Sequence, residues 1–458
     1  MIVHFTITMK DNKQKELFQP QLYYHPKWYN FKETDLGKIY QTIPWDQLAE
    51  CLPKENRGPG APRWFNAQGM FGLMFLKAYL HSSDEMLIRR FNTDWSLQIF
   101  CGKLLADNEK IRDKAIVSRI RSYIGEQADW QEVQATLIDY WKRDMDQTHV
   151  LLMDATCYES FIRFPTDVKL LWECCQWIFE KQIYKWCKVC DMARPRSKYV
   201  DQKRRQGAYD RRRKKTYRQG QKRKRALLYL LEKGLGQLQM ILDHHPDNEL
   251  NPMERQYLRT IKKVLEQQTF LMTHPAKELK DRIVSLSKPY IRPIVRGKEN
   301  KPVEFGMKVH MLQVDGLCMI DKMDFNAFNE STRLKVSVLK HKSIFGQCHQ
   351  VGADKIYATN ANRKYLTEKE IFHSFPRKGP KVERPQEDKL RKILGSVRAT
   401  VMEGSFGTHK QHYGLARVKA KGEKRELIWV LFGVMTSNAV LVSKRARSDI
   451  ANSLQSAA

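Results

Sequence analysis

A chain of 458 residues is long enough for two or three domains and a substantial core, and an apolar fraction of 42% excludes wholesale disorder. With 81 Lys and Arg against 51 Asp and Glu, the net charge of +30 favours a polyanionic partner: nucleic acid first, an anionic membrane surface second. Nine irregularly spaced cysteines, an odd number, make no disulfide scaffold and fit a reducing cytoplasm. The start, "MIVHFTITMKDNKQ", reads as no signal peptide, and no long uncharged apolar run of spanning length is evident, so no membrane association is expected.

Residues 1–50 are mixed, with aromatics in "LYYHPKWYNF", and read in part as an extended arm. From about 51 to 145 the pattern is helical. Met70, Leu73, Met74 and Ala78 keep the spacing of one helix face, and Ser82 is placed to cap a second helix with Glu85 completing a capping box. The period then changes. "THVLLMDATCYESFIRF" predicts one or two buried strands, ended by Pro165, and Thr166 is placed to cap the next helix. From Asp167 to about Thr273 the pattern is helical again, closing with two antiparallel helices in "LEKGLGQLQMILDHH" and "ERQYLRTIKKVLEQQTFLM".

Strands return in "FGMKVHMLQVDGLCMIDKMDFN", where "VDGL" is a hairpin turn. A helix follows in "STRLKVSVLKHKSIFG", then a short strand ending in an acid in "QCHQVGADKIYA". "NANRKYLTEKEI" is a helix and "FHSFPRKG" a strand. "RPQEDKLRKILGSVRATVMEGSFG" predicts a long helix and "KRELIWVLFGVMTSNAVLVSKRA" a final apolar one, with a frayed tail after Asp449. The fold class expected is mixed α+β/α/β.

Three acids stand at the ends of these elements. Asp154 lies in the first strand, Asp354 ends a later one, and Glu403 sits on the long helix after the last strand. Ligands of open α/β sheets bind at such strand ends. Carboxylates gathered there repel unless a cation holds them, and hard oxygen donors select Mg²⁺ or Mn²⁺. Two such ions can activate a water or a 3′-hydroxyl and stabilise the leaving oxygen of a phosphodiester. Taken singly, each acid is more simply a cap or a turn former.

Several segments together resemble bacterial insertion-sequence transposases of the DDE type. "APRWFNAQGMFGLMFLKAYLHSSDEMLIRRFNTDWSLQIFCG" is similar to their helical N-terminal domain. "LLMDATCYESFIRFPTDVKLL" resembles the segment of the first catalytic Asp, "VGADKIYATNANRKYL" that of the second, and "VMEGSFGTHKQHYGLARVKAKG" that of the Glu. "KPYIRPIVRGKENKPVEFGMKVHM" resembles the segment leading into the strands between them. The resemblance implies a ribonuclease-H-like catalytic domain in which Asp154, Asp354 and Glu403 bind two Mg²⁺ (or Mn²⁺) ions. It also implies binding of double-stranded DNA at the element's terminal inverted repeats, cleavage there, and joining of the 3′-hydroxyls to target DNA. A homodimer in the synaptic complex and a bacterial, cytoplasmic, nucleoid-associated location follow from the same resemblance.

Lys410, seven residues after Glu403, shares its helix face and matches a basic position of the family that positions DNA. Gly404 and Gly407 weaken the helix, which would leave Lys410 past its end. The family pattern departs upstream: Ala399 and Ser396 stand where relatives carry Arg and often Tyr. Arg398, five before Glu403, is rotated by roughly 140° from it, and reads as a phosphate contact or a solvated side chain.

Between Lys181 and Arg225 there are 19 Lys and Arg against three Asp, more than half of the chain's excess charge in a tenth of its length. Within it, Arg211, Arg212, Arg213, Lys214, Lys215, Arg223, Lys224 and Arg225 are the expected DNA contacts, interleaved with Tyr199, Tyr209 and Tyr217, against the plainer reading of a solvated helix face. Cys174, Cys175, Cys187 and Cys190 read as buried thiols rather than a zinc site, since one C-x-x-C lacks a second pair. His409 and His412 lack a nearby metal partner and are expected to meet DNA or solvent; His310 faces either the acids or the core.

The organisation expected is an arm at 1–50, a helical DNA-binding and assembly domain at 51–145, and a catalytic domain at 146–450. A basic helical insertion interrupts that domain at about 167–280, and 451–458 is a tail. A metal-dependent nuclease or resolvase on the same fold, and an inactive transposase-derived DNA-binding protein, are the alternative functions.

Overall fold

The computed structural model describes residues 26–54, 63–244, 249–275, 277–295, 303–379 and 384–456. The first half of the expected arm, residues 1–25, lies outside them, as do residues 457–458 of the tail; the second half is not extended, since residues from Pro26 onward form the helices Pro26–Glu33, Asp35–Gln41 and Trp45–Glu50. The chain forms two compact units, one of residues 1–159, 308–324 and 328–458, the other of 160–307 and 325–327.

The first unit joins a helical N-terminal region to a mixed sheet. Its strands are β1 (Val150–Glu159), β3 (Val303–Val314, from Lys308 onward), β4 (Leu317–Asp324), β5 (Gln350–Gly352) and β6 (Phe372–His373); β2 (Pro293–Val295) belongs to the second unit. Strand order is β3-β1-β5-β6, with β4 on the outer side of β3. β1, β5 and β6 are parallel neighbours, whereas β3 and β4 form an antiparallel hairpin. Its turn is the expected one: Asp315 and Gly316 both take positive φ, as a tight two-residue hairpin turn requires.

β4 is an edge strand, and side-chain amides cover its free backbone groups. Gln134 exchanges two hydrogen bonds with Ile320 (2.9 and 2.7 Å), and Asn438 exchanges two with Cys318 (3.0 and 2.7 Å). Asn438 lies on the C-terminal helix Glu423–Ser456, which packs against the helices Ala67–Tyr79 and Ile116–Gln127. Phe432 meets the Phe75 ring edge-on at 5.1 Å within that core. Over Glu423–Ala446 this helix is long and apolar enough to cross a membrane, contrary to the expectation that no run of spanning length occurs, but its 18-residue apolar stretch is 72% buried in the protein, as in a core helix.

Local signals account for most elements. Thr166 caps its helix as expected, accepting from the Lys169 amide, but Ser83 rather than Ser82 caps the helix Asp84–Phe91, accepting from Met86 N. The long helix Pro385–His412 runs through Gly404 and Gly407 without a break, so Lys410 is inside it and not beyond its end. Neither glycine interrupts the backbone ladder, and the helix's buried stripe of Leu394, Met402, Phe406 and His409 holds it to the sheet. The backbone of the C-terminal helix is regular to Ser456.

The second unit is mainly helical. Its core gathers Leu171, Phe179, Leu227, Leu231 and Ile261, with Tyr199 stacked on both Trp172 (5.5 Å) and Phe179 (4.8 Å). Asp167, at a helix N-terminus, ties four segments together by accepting from Lys224 (3.1 Å), Gln268 (3.1 Å) and Arg282 (2.6 Å).

Candidate active site

The register of β1 and β5 brings two of the three acids level. Leu152 pairs with Gly352, so Asp154 and Asp354 each lie two residues beyond the same rung of adjacent parallel strands. Asp154 remains on β1 and accepts from the Ala155 amide at 2.8 Å. Asp354 has left its strand and caps the short 3₁₀ turn Lys355–Tyr357, accepting from Lys355 N at 2.6 Å.

The helix Pro385–His412 crosses this point. Gly352 makes the approach possible: a Cβ there would meet Leu152 Cδ2 at 2.7 Å and both Arg398 Cβ and Leu394 Cδ1 at 3.3 Å. Arg398 reaches across both acids, with Nη1 donating to Asp154 Oδ2 at 2.7 Å and Nη2 3.5 Å from Asp354 Oδ1. The Arg398 and Asp154 side chains are only 14% and 18% exposed, while Asp354 is 52% exposed. Burial pushes the Asp154 carboxyl above its usual range, against the pull of Arg398, and the charges of Glu330 and Asp354 add to the rise. Arg398 is thus no solvated side chain. Its position was obscured in the sequence because the family spacing pointed one residue away.

Further along the same helix, Lys410 Nζ donates to Thr156 Oγ1 at 3.3 Å, and Thr156 shares a strand face with Asp154 two residues earlier. His409, next to it, is fully buried and bonded to Tyr158 Oη at 2.8 Å, so it meets neither DNA nor solvent. Glu403 stands between Arg398 and Lys410 on the helix. It is exposed, and the described residues offer it no hydrogen-bond or ion-pair partner. Among the described residues no group of three or more His, Cys, Asp or Glu could hold a metal ion. The Asp154–Asp354 pair supplies part of a hard-cation donor set, and a guanidinium supplies the positive charge that the pair requires. Glu403, on the helix that carries Arg398, makes no hydrogen bond or ion pair with either acid, and the three carboxylates do not form such a group.

Beneath the acids runs a buried chain that sequence reasoning only touched. His310 lies with Nδ1 2.9 Å from Asp321 Oδ2 and Nε2 2.8 Å from Tyr357 Oη, settling His310 as a core residue. Asp321 also accepts from Arg333 Nε (2.9 Å) and Ser337 Oγ (3.2 Å). Burial raises the Asp321 carboxyl, but the His310 and Arg333 hydrogen bonds outweigh it and hold the group well below the carboxylate range. Because Tyr357 closes the 3₁₀ turn that Asp354 opens, this chain fixes the turn carrying the second acid. Glu330, paired with Lys308 at 2.7 Å, is a fourth acid near enough to be felt at Asp154. No local motif marked Glu330 or Asp321; both come from the β3–β4 hairpin and the turn after it.

The basic block divides in two. Arg211, Arg212, Arg213, Lys214 and Lys215 are exposed where the helix Tyr199–Arg211 gives way to Tyr217–His244, and Arg225 is exposed on the latter. Arg223 and Lys224 are buried, which corrects the expectation of DNA contact for both. Arg223 donates to Gln202 Oε1 (2.6 Å) and Gln206 Oε1 (3.0 Å), while Lys224 pairs with Asp167. They lie on the apolar side of the helix, and burial of their heads is offset by these acceptors. Cys174, Cys175 and Cys187 are buried free thiols, as expected.

Residues 27–123 match the family model described as a transposase domain (DUF772). This supports a transposase-family protein, and with it a DNA-processing role. No curated protein and no solved structure matches the chain.

Proposed function

We propose that the chain is a DNA transposase of the DDE type, with Asp154, Asp354 and Glu403 as its catalytic carboxylates on a ribonuclease-H-like sheet. The observation that carries this reading is the level pair of acids on adjacent parallel strands, bridged by Arg398 from the helix that bears Glu403. The transposase-domain match in residues 27–123 and the resemblance of the segments around the three acids support it.

Divalent cations, Mg²⁺ or Mn²⁺, bound at this site would supply the Lewis acid and the activated water or 3′-hydroxyl for phosphodiester chemistry. The protein's own part is positional. β1 and the 3₁₀ turn present Asp154 and Asp354 side by side, and the His310 chain holds the second of them in place. Arg398 keeps the two carboxylates from repelling, and Lys410 lies on the flank where a DNA phosphate approaches. The exposed basic run Arg211–Lys215 and Arg225 offer phosphate contacts. The partner is double-stranded DNA, at element ends and target, in a dimeric synaptic complex in the bacterial cytoplasm.

A strand-transfer assay tests this reading. Labelled duplexes carrying the DNA that flanks the coding region are incubated with the protein and a target plasmid in Mg²⁺. Joined product is expected. Cutting without joining would instead identify a nuclease, and binding without cutting an inactive DNA-binding protein.

A further inference from the structure

The second unit carries a groove of about 950 Å³ with two unlike walls. One wall is a stripe of the helix Tyr217–His244: Arg218, Lys222, Arg225 and Tyr229 are spaced 4, 3 and 4 residues apart and so share a face. Tyr217 stands at the head of the same helix. The opposite wall is apolar, with Leu271 and Met272 from the end of the helix Pro252–Thr273. Tyr217 and Tyr229 are 74% and 68% exposed, large rings that packing does not account for. Among the described residues, the three cations have no carboxylate partner.

A duplex presents phosphates and keeps its base faces stacked inside. A cationic stripe alone would suit it. Exposed rings and an apolar wall within the same groove add a surface for base faces, which only unpaired nucleotides can offer. We propose that this groove binds single-stranded DNA, with Arg218, Lys222 and Arg225 on consecutive phosphates and Tyr217 and Tyr229 stacked on bases. The proposal rests on the transposase reading, whose strand breakage generates unpaired ends, and it assigns them to this groove of the second unit.

The test uses the full chain and mixed-sequence oligonucleotides, single-stranded and duplex, followed by fluorescence anisotropy. The Tyr217→Ala/Tyr229→Ala variant should weaken single-strand binding about tenfold or more while duplex binding stays within about twofold. Tyr217→Phe/Tyr229→Phe should restore it, since stacking needs the ring and not the hydroxyl. Arg218→Ala/Lys222→Ala/Arg225→Ala should lower the salt slope of single-strand binding by about 2. Irradiation with an oligonucleotide containing 5-iodouracil should crosslink to Tyr217 or Tyr229. Unchanged single-strand affinity in the Ala variant, equal losses on both DNA forms, or crosslinks confined to other residues would overturn the proposal. Failure of strand transfer with these crosslinks intact would count against the transposase reading alone.

Discussion

Arg398 decides how the two acids coexist. Its guanidinium neutralises Asp154 directly and Asp354 at longer range, in a site where Asp154 is largely shielded from water. Removing one partner of such a pair leaves the other buried and unpaired, so Arg398→Gln should lower stability by about 1–3 kcal/mol. Asp154→Asn in the same chain should recover much of that loss, and urea unfolding of the two single variants and the double variant measures the coupling. Strict additivity would show that the contact contributes nothing. His409 gives a second residue-scale prediction. Burial drives its pKa down to about 3, so the unfolded chain takes up the proton first as pH falls below the ordinary value of about 6.5. Stability tied to the neutral imidazole is therefore complete above that pH and lost progressively toward pH 3. His341, lowered to about 4, acts in the same window. Thermal midpoints between pH 7 and 4 should fall less steeply in His409→Gln than in the wild type, and an identical fall would contradict the assignment.

At the scale of elements, a basic helix need not be a basic surface. The helix Tyr217–His244 puts Arg225 in solvent and Arg223 and Lys224 inside, at three consecutive positions. Arg223→Ala should therefore destabilise the protein by about 2–4 kcal/mol in denaturant titrations, since Gln202 and Gln206 lose their buried donor. Arg212→Ala should leave stability within about 0.5 kcal/mol and instead weaken DNA binding, steepest at low salt. The opposite pattern would put Arg223 back on the DNA surface. This distinction was not legible in the sequence, because charge density says nothing about which side of a helix meets a neighbour. Strands were partly legible: β1 and the "VDGL" hairpin announced themselves through β-branched runs and turn residues, whereas the strand expected to end at Asp354 stops at Gly352 and Asp354 opens a 3₁₀ turn. Arg398 was not, since its partners lie 244 residues upstream on β1 and in the turn at Asp354. Register between β1 and β5 joins what the chain separates.

Across the whole molecule, the sequence suggested a run of domains, whereas the first unit is assembled from both ends of the chain. The apolar C-terminal helix Glu423–Ser456 packs on the helices of residues 27–123, the transposase-domain match, and Asn438 on it covers the edge of β4. The catalytic residues proposed here thus stand in the unit that carries that match. The central claim is that Glu403 acts with Asp154 and Asp354, although no hydrogen bond or ion pair joins it to them. The direct measurement is strand cleavage of duplex DNA bearing the flanking ends, in Mg²⁺, by Glu403→Gln beside Asp154→Asn and Asp354→Asn, with DNA affinity measured on the same proteins. All three variants are predicted to lose cleavage by about 10²-fold or more while binding DNA within a few-fold of the wild type. Cleavage by Glu403→Gln at the wild-type rate, with both Asp variants inactive, would contradict the three-carboxylate centre.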